Sequence, residues 1–163
     1  MATASKDLSS KVYKLVPDAS DMKFAVIVAE WNAQITDKLF EGAKKTLLKF
    51  EAKEENINVI HVPGSFELSA GARLFAEDKN IDAIICLGCV IQGETRHFDF
   101  ICNAVSVGLT QLTVNFNKPF IFGVLTTDNL EQALDRAGGK HGNKGEEAAV
   151  TAIKMVQLTR KYK

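Results

Sequence analysis

The sequence contains no apolar run long enough to cross a membrane: its longest, residues 81–91, falls well short of the roughly 20 residues that a spanning helix needs. It has no excess of either charge. Twenty Lys and Arg balance twenty Asp and Glu, so there is no global field to attract nucleic acid or an anionic membrane, and neither is expected as a partner. Residues 1–21 include Lys6, Asp7, Lys11, Lys14 and Asp18 and lack the apolar stretch and small-residue cleavage site of a secretory signal, which makes the cytoplasm the expected location. Cysteine is scarce and odd in number. Cys86, Cys89 and Cys102 are separated by two and twelve residues, without the second Cys/His pair of a zinc site. Buried free thiols are expected, and no metal.

What is present reads as one globular domain over residues 1–163, with 1–21 as an N-terminal extension. At 163 residues, 46% hydrophobic and 25% charged, the chain is long enough to bury one continuous core and short for two. Phe24-Ala-Val-Ile-Val-Ala29 is a short run rich in branched residues, followed by Ile35, Leu39, Ala43, Leu47 and Leu48 at helical spacing. Ile57-Asn-Val-Ile-His-Val62 repeats the strand pattern, is stopped by Pro63-Gly64, and gives way to Leu68, Ala72, Leu74 and Phe75. A third strand is predicted over 81–87, with a helix marked by Phe98, Ile101, Val105, Leu109 and Leu112, and a fourth over 120–125. A short helix over 129–136, a glycine-rich turn over 138–145 and a final helix over 146–161 complete the chain. Four such units, with strands apolar on both faces, predict an α/β three-layer sandwich: a four-stranded parallel sheet with helices on both faces, of the flavodoxin-like kind. Ligands of such sheets lie beyond the carboxyl ends of the strands.

The turns at those ends hold the unusual residues. Trp31, the single tryptophan, stands at the end of the first strand, where it can stack on a planar ring; packing at the sheet margin is the alternative. In Val62-Pro-Gly-Ser65-Phe66-Glu67, Ser65 is expected to cap a helix whose first amides meet polar ligand edges. Glu67 either complements the helix dipole or accepts from ligand hydroxyls. Residues Gly88-Cys-Val-Ile-Gln-Gly93-Glu94-Thr95 have the glycine spacing of a phosphate loop, but Glu94 stands where that motif needs lysine, which argues against a nucleotide triphosphatase. A turn holding one phosphate through glycine amides and Thr95 remains. His97 follows it, either as a structural residue or as a proton carrier near neutral pH. Arg136 and Lys144 flank a glycine-rich segment as a bidentate fork and a point charge for an anion, or else as solvated surface cations.

Together, five blocks resemble the lumazine synthase family in order: Trp31-Asn32 with Ile35-Thr36, residues 62–67, residues 88–97, Phe122-Gly-Val-Leu-Thr-Thr127, and residues 132–145. The resemblance implies condensation of 5-amino-6-ribitylaminouracil with 3,4-dihydroxy-2-butanone 4-phosphate to 6,7-dimethyl-8-ribityllumazine, with no cofactor. It implies that Trp31 stacks on the pyrimidine, often a phenylalanine's task in relatives. Ser65, Phe66 and Glu67 would hold the ribityl chain and orient the ring, with the backbone of Val90 and Ile91 at the ring edge. Gly93, Glu94 and Thr95 would bind phosphate, Glu94 through its backbone, and His97 would transfer protons. Phe122, Arg136 and Lys144 match residues that the family supplies from a neighbouring subunit, Arg136 toward the phosphate. A homopentamer is implied, extending in some members to a 60-subunit icosahedral shell, with residues 1–21 at an interface and riboflavin synthase as a further partner. Two rivals remain at this point: another phosphate-binding enzyme on the same fold, such as a phosphosugar isomerase or a flavodoxin-like protein, and a binding or shell protein without turnover.

Overall fold

The computed structural model describes residues 15–162. β1 (Phe24–Ala29), β2 (Ile57–Val62), β3 (Ala83–Ile91) and β4 (Phe120–Thr127) form one parallel sheet in the order β2-β1-β3-β4. The helices are α1 (Ala33–Lys49), α2 (Leu68–Arg73), α3 (His97–Phe116), α4 (Leu130–Asp135) and α5 (Lys144–Lys161). The three-layer, flavodoxin-like sandwich is the one the periodicity predicts.

Its two cores follow from the alternation of side chains along a strand. Every residue of β1 is buried. Phe24, Val26 and Val28 point to one face, against Ile35, Leu39 and Leu47 of α1 and Ala149 and Ile153 of α5. Ala25, Ile27 and Ala29 point to the other, against Leu68 and Ala72 of α2 and Val105 and Leu109 of α3. Burying an aliphatic side chain of this size contributes about 1.5–3 kcal/mol, and β1 does so on both sides. The expectation of strands apolar on both faces fails at β2, which ends the sheet and leaves Asn58 and His61 exposed.

Three other boundaries shift for local reasons. β3 runs four residues beyond the expected Leu87 because β4 continues to pair with it, Cys89 with Leu125 and Ile91 with Thr127, after the last β1–β3 rung at Val28 and Leu87. Gly88 therefore lies inside a strand, and the apparent phosphate-loop spacing is not a loop. A side chain at Gly88 would meet Ser65 Oγ at 2.7 Å and Leu68 Cδ1 at 2.8 Å, so this glycine serves a close approach of α2 to the sheet. The glycine-rich stretch is not a simple turn but an antiparallel hairpin, β5 (Ala137–Gly139) with β6 (Gly142–Asn143), made possible by positive φ at Gly138 and Gly142. α5 begins at Lys144, two residues early, because Asn143 Oδ1 accepts from the Gly145 and Glu146 amides at 2.7 and 3.4 Å.

Of the extension predicted over 1–21, residues 1–14 lie outside the described residues. Ala19 is fully buried against the α1/α5 core, its amide donating to Phe50 O at 2.8 Å. Arg160 grips Asp21 with two 2.9 Å bonds. Among the described residues no helix is long and apolar enough to cross a membrane.

Candidate active site

The chain steps from β1 outward to β2 and then returns past β1 to β3, which makes the gap between β1 and β3 the switch point of the sheet. A cleft of about 680 Å³ opens there, within the size range of small-molecule sites. It gathers residues from three separate strand ends: Trp31 after β1, Gly64 to Glu67 after β2, and Cys89, Val90, Ile91, Gly93 and Thr95 on and after β3. His97, at the start of α3, completes one wall.

The apolar walls are presented, not packed away. Trp31 is 73% exposed and Phe66 56%, whereas a Trp serving only as packing at the sheet margin would be covered. Two main-chain bonds hold the Trp31 turn beside the Pro63-Gly64 turn: Glu30 N to Val62 O at 2.8 Å and Trp31 N to Pro63 O at 3.1 Å. Ser65 does not cap a helix as expected. It opens a 3-10 turn (Ser65–Glu67) whose N-cap is Gly64, and α2 follows with Glu67 at its N-cap and no side-chain cap. Its Oγ is enclosed against Gly88, without a hydrogen-bond partner among the described residues. Gly93 and Thr95 line the cleft, whereas Glu94, expected to meet phosphate through its backbone, does not line it. The Thr95 hydroxyl accepts from the His97 amide at 3.4 Å, so it shapes the entry into α3.

Cys89 also lines the cleft, and burial pushes its thiol up to about 11; Cys86, fully buried beneath, is raised further. Burial thus holds both of these thiols in the neutral form, the opposite of what activates a cysteine nucleophile. Phe98 and Ile101, on the first turns of α3, add apolar surface that the sequence reading assigned only to the helix core.

Three expected residues are elsewhere. Phe122 and Lys144 line a second cavity of about 360 Å³ along β4, the other edge strand, together with Glu147, Thr113 and Met155. Arg136 joins them through the β5–β6 hairpin, because the Lys144 amide donates to Arg136 O at 2.9 Å. Glu147, missed in the sequence, lies between the two cations, 2.6 Å from Lys144 Nζ and 3.5 Å from Arg136 Nη2. Its side chain is 11% exposed. Its position three residues after Lys144 in the first turn of a helix was the available signal. A further groove of about 610 Å³ holds Lys118 and Arg160, but Lys118 caps the Phe75 and Asp78 carbonyls and Arg160 is bound to Asp21 and Asp82.

A flavodoxin-like α/β sandwich with a cleft at the switch point of its sheet, walled by exposed aromatics and with a histidine on one side, has the build of a small-molecule enzyme of the α/β class. Comparison with known proteins narrows the class. Residues 21–160 match the family model for 6,7-dimethyl-8-ribityllumazine synthase. The chain is 61% identical to the 6,7-dimethyl-8-ribityllumazine synthase of Cytophaga hutchinsonii, over 98% of this chain and 99% of that protein. It is 57% identical to the protein of that name from Parabacteroides distasonis and 52% to that of Porphyromonas gingivalis, with the same coverage. The chain belongs to the 6,7-dimethyl-8-ribityllumazine synthase family.

Proposed function

We propose that this enzyme of riboflavin biosynthesis forms 6,7-dimethyl-8-ribityllumazine from 5-amino-6-ribitylaminouracil and 3,4-dihydroxy-2-butanone 4-phosphate in sites completed by a neighbouring subunit. The observation that carries this reading is the division of the expected residues into two groups, one around the Trp31 cleft and one along the β4 edge, whose linings share no residue.

In the cleft, the pyrimidine stacks on Trp31, with its edge toward the main chain of Val90 and Ile91. The ribityl chain lies along Ser65, Phe66 and Glu67. Phosphate sits at Gly93, Glu94 and Thr95, and Arg136 from the adjacent subunit closes over it, with Phe122 and Lys144 beside the ring. The pyrimidine amine attacks the ketone and a first water is lost to give an imine. Phosphate is then eliminated, the enol left behind becomes a carbonyl, and the ribityl-bearing nitrogen condenses with it, losing a second water as the ring closes. Holding two reactants in register is worth effective molarities of about 10⁵–10⁸ M when the geometry is right. His97 relays protons between the attacking amine, the ketone oxygen and the leaving groups, worth about 10²–10⁴ in rate. Arg136 anchors the phosphate and stabilises its charge as it leaves. Because the 3.5 Å contact of Arg136 with Glu147 is long, the guanidinium is held loosely and can turn to a stronger anionic partner.

A pentamer fits this division, and a 60-subunit shell, a cytoplasmic location and riboflavin synthase as a partner are the family expectations that accompany it. The test is a steady-state assay of purified, metal-free protein with both substrates, following product absorbance. Product formation above the uncatalysed background is expected. A folded oligomer that forms product no faster than background overturns the enzyme reading.

A further inference from the structure

Asn32 behaves unlike an ordinary helix start. It is the N-cap of α1, where asparagine is favoured because its side-chain oxygen accepts from an amide of the first turn. Here the side chain caps nothing, and the backbone is left-handed, with φ 63° and ψ 42°, where N-cap residues are usually extended. Only the main chain starts the helix, Asn32 O accepting from the Ile35 and Thr36 amides at 2.8 and 3.1 Å. The side chain turns across the switch point instead, and Asn32 Nδ2 donates to Cys89 O at 3.0 Å.

That carbonyl lies just beyond the last β1–β3 rung, Val28 with Leu87, where β1 has no further amide to offer. Asn32 thus extends the ladder with a side chain. On the β2 side the Trp31 turn is held by two main-chain bonds, from Glu30 and Trp31. Toward β3, among the described residues, the tie is this one side-chain bond. It joins the residue next to Trp31 to the residue next to Val90, so it spans the cleft floor between the aromatic wall and the strand end opposite.

We propose that Asn32 is a positioning residue that fixes the separation of Trp31 from Val90 and Ile91, and so sets the affinity of the cleft for a planar pyrimidine. This rests on the reading of the cleft as the pyrimidine site. The left-handed backbone selects asparagine over most residues, and the amide does what aspartate cannot, because an ionised carboxylate has no proton to donate to a carbonyl.

The test uses Asn32→Gly, which accepts the backbone and lacks the amide, and Asn32→Asp, which keeps size and backbone tolerance but not the donor. Trp31 is the only tryptophan, so its fluorescence anisotropy and acrylamide quenching in the ligand-free oligomer report the wall directly. Both variants are expected to lower the anisotropy and increase quenching. Both should raise KM for the pyrimidine about tenfold, the equivalent of one lost hydrogen bond, with KM for the butanone phosphate changed by no more than about twofold. Unaltered Trp31 fluorescence in both variants, or the two KM values rising together, overturns the proposal. If the wild-type protein makes no lumazine, the substrate reading fails separately, and the fluorescence comparison still decides whether Asn32 holds Trp31.

Discussion

Gly42 and Asn143 should be coupled strongly enough for one substitution to change sign in the presence of the other. Asn143 is 7% exposed, caps α5 through Oδ1, and donates from Nδ2 to Lys38 O on α1 at 2.9 Å. Replacing it with alanine removes the cap and leaves the buried Gly145 amide unpaired, while the Lys38 carbonyl, still paired within α1, loses a second donor, for a loss of about 2 kcal/mol in all. A Cβ on Gly42 would fall 2.6–2.7 Å from Asn143 Cγ, Nδ2 and Oδ1, and Asn143 is bonded at both ends, so it cannot move aside. Gly42→Ala alone should therefore destabilise by about 1–2 kcal/mol, overpacking outweighing the gain of roughly 1 kcal/mol in helix propensity. Asn143→Ala removes all three clashing atoms. In that background Gly42→Ala should stabilise by up to about 1 kcal/mol, a coupling of at least ~1 kcal/mol. Urea unfolding of the four proteins at one protein concentration measures it. An equal effect of Gly42→Ala in both backgrounds refutes the packing argument.

Arg136→Ala should raise KM for the butanone phosphate far more than His97→Ala does, while His97→Ala mainly lowers kcat; equal effects on both parameters would contradict the assigned roles. Co-expressing His97→Ala and Arg136→Ala chains should restore about one quarter of wild-type activity, because in a random ring one interface in four joins an intact cleft to an intact cation pair. No recovery would mean that each chain builds its own site. The Cys89 thiol, raised to about 11 in the fold from 9.0, keeps its proton where the unfolded chain loses it. Its contribution is full below about pH 9 and is lost as pH rises toward 11, by up to about 1.4 kcal/mol per pH unit. Cys89→Ala should flatten that decline in alkaline urea unfolding, and an unchanged slope would assign the decline to other groups.

The bounds of β1 and β2 were legible to the residue because each is a short branched run closed by turn chemistry, Glu30-Trp31 in one case and Pro63-Gly64 in the other. The end of β3 was not, since it depends on where β4 stops pairing, a long-range fact with no local mark. The β5–β6 hairpin was hidden for a different reason. Strands of three and two residues carry no period, and glycine there reads as a turn whether or not a ladder forms. Ser65 was misread as a cap because a serine after Pro-Gly has the composition of a helix start, whereas the turn closes through main-chain bonds and α2 begins only at Leu68. For the site, Trp31, residues 65–67, Val90, Ile91, Gly93, Thr95 and His97 do meet in one cleft, Glu94 does not line it, and Asn32, Gly64, Cys89, Phe98 and Ile101 join it without having been named as site residues. The bonds that aim them were not legible: Asn32 to Cys89 spans 57 residues of sequence and Asn143 to Lys38 spans 105.

Those two long-range bonds share one helix. α1 starts at the Asn32 tether beside Trp31 and, about 9 to 15 Å along its axis at 1.5 Å per residue, receives Asn143 on Lys38 and Gly42. Asn143 is covalently next to Lys144, and the Lys144 amide bonds Arg136. One rigid helix thus carries both the aromatic wall of the chain's own cleft and the support for the cations at its β4 side. Under the proposed shared site these belong to different active centres, so α1 links the cleft a subunit keeps to the cations it lends. Helix packing of this kind resists sub-ångström adjustment, and a subunit cannot shift one half-site without shifting the other. A substitution that tilts α1, such as Gly42→Ala, should then impair both centres a subunit serves. The same substitution in a chain whose own cleft is already inactivated by His97→Ala should still reduce turnover at the site completed by that chain's Arg136.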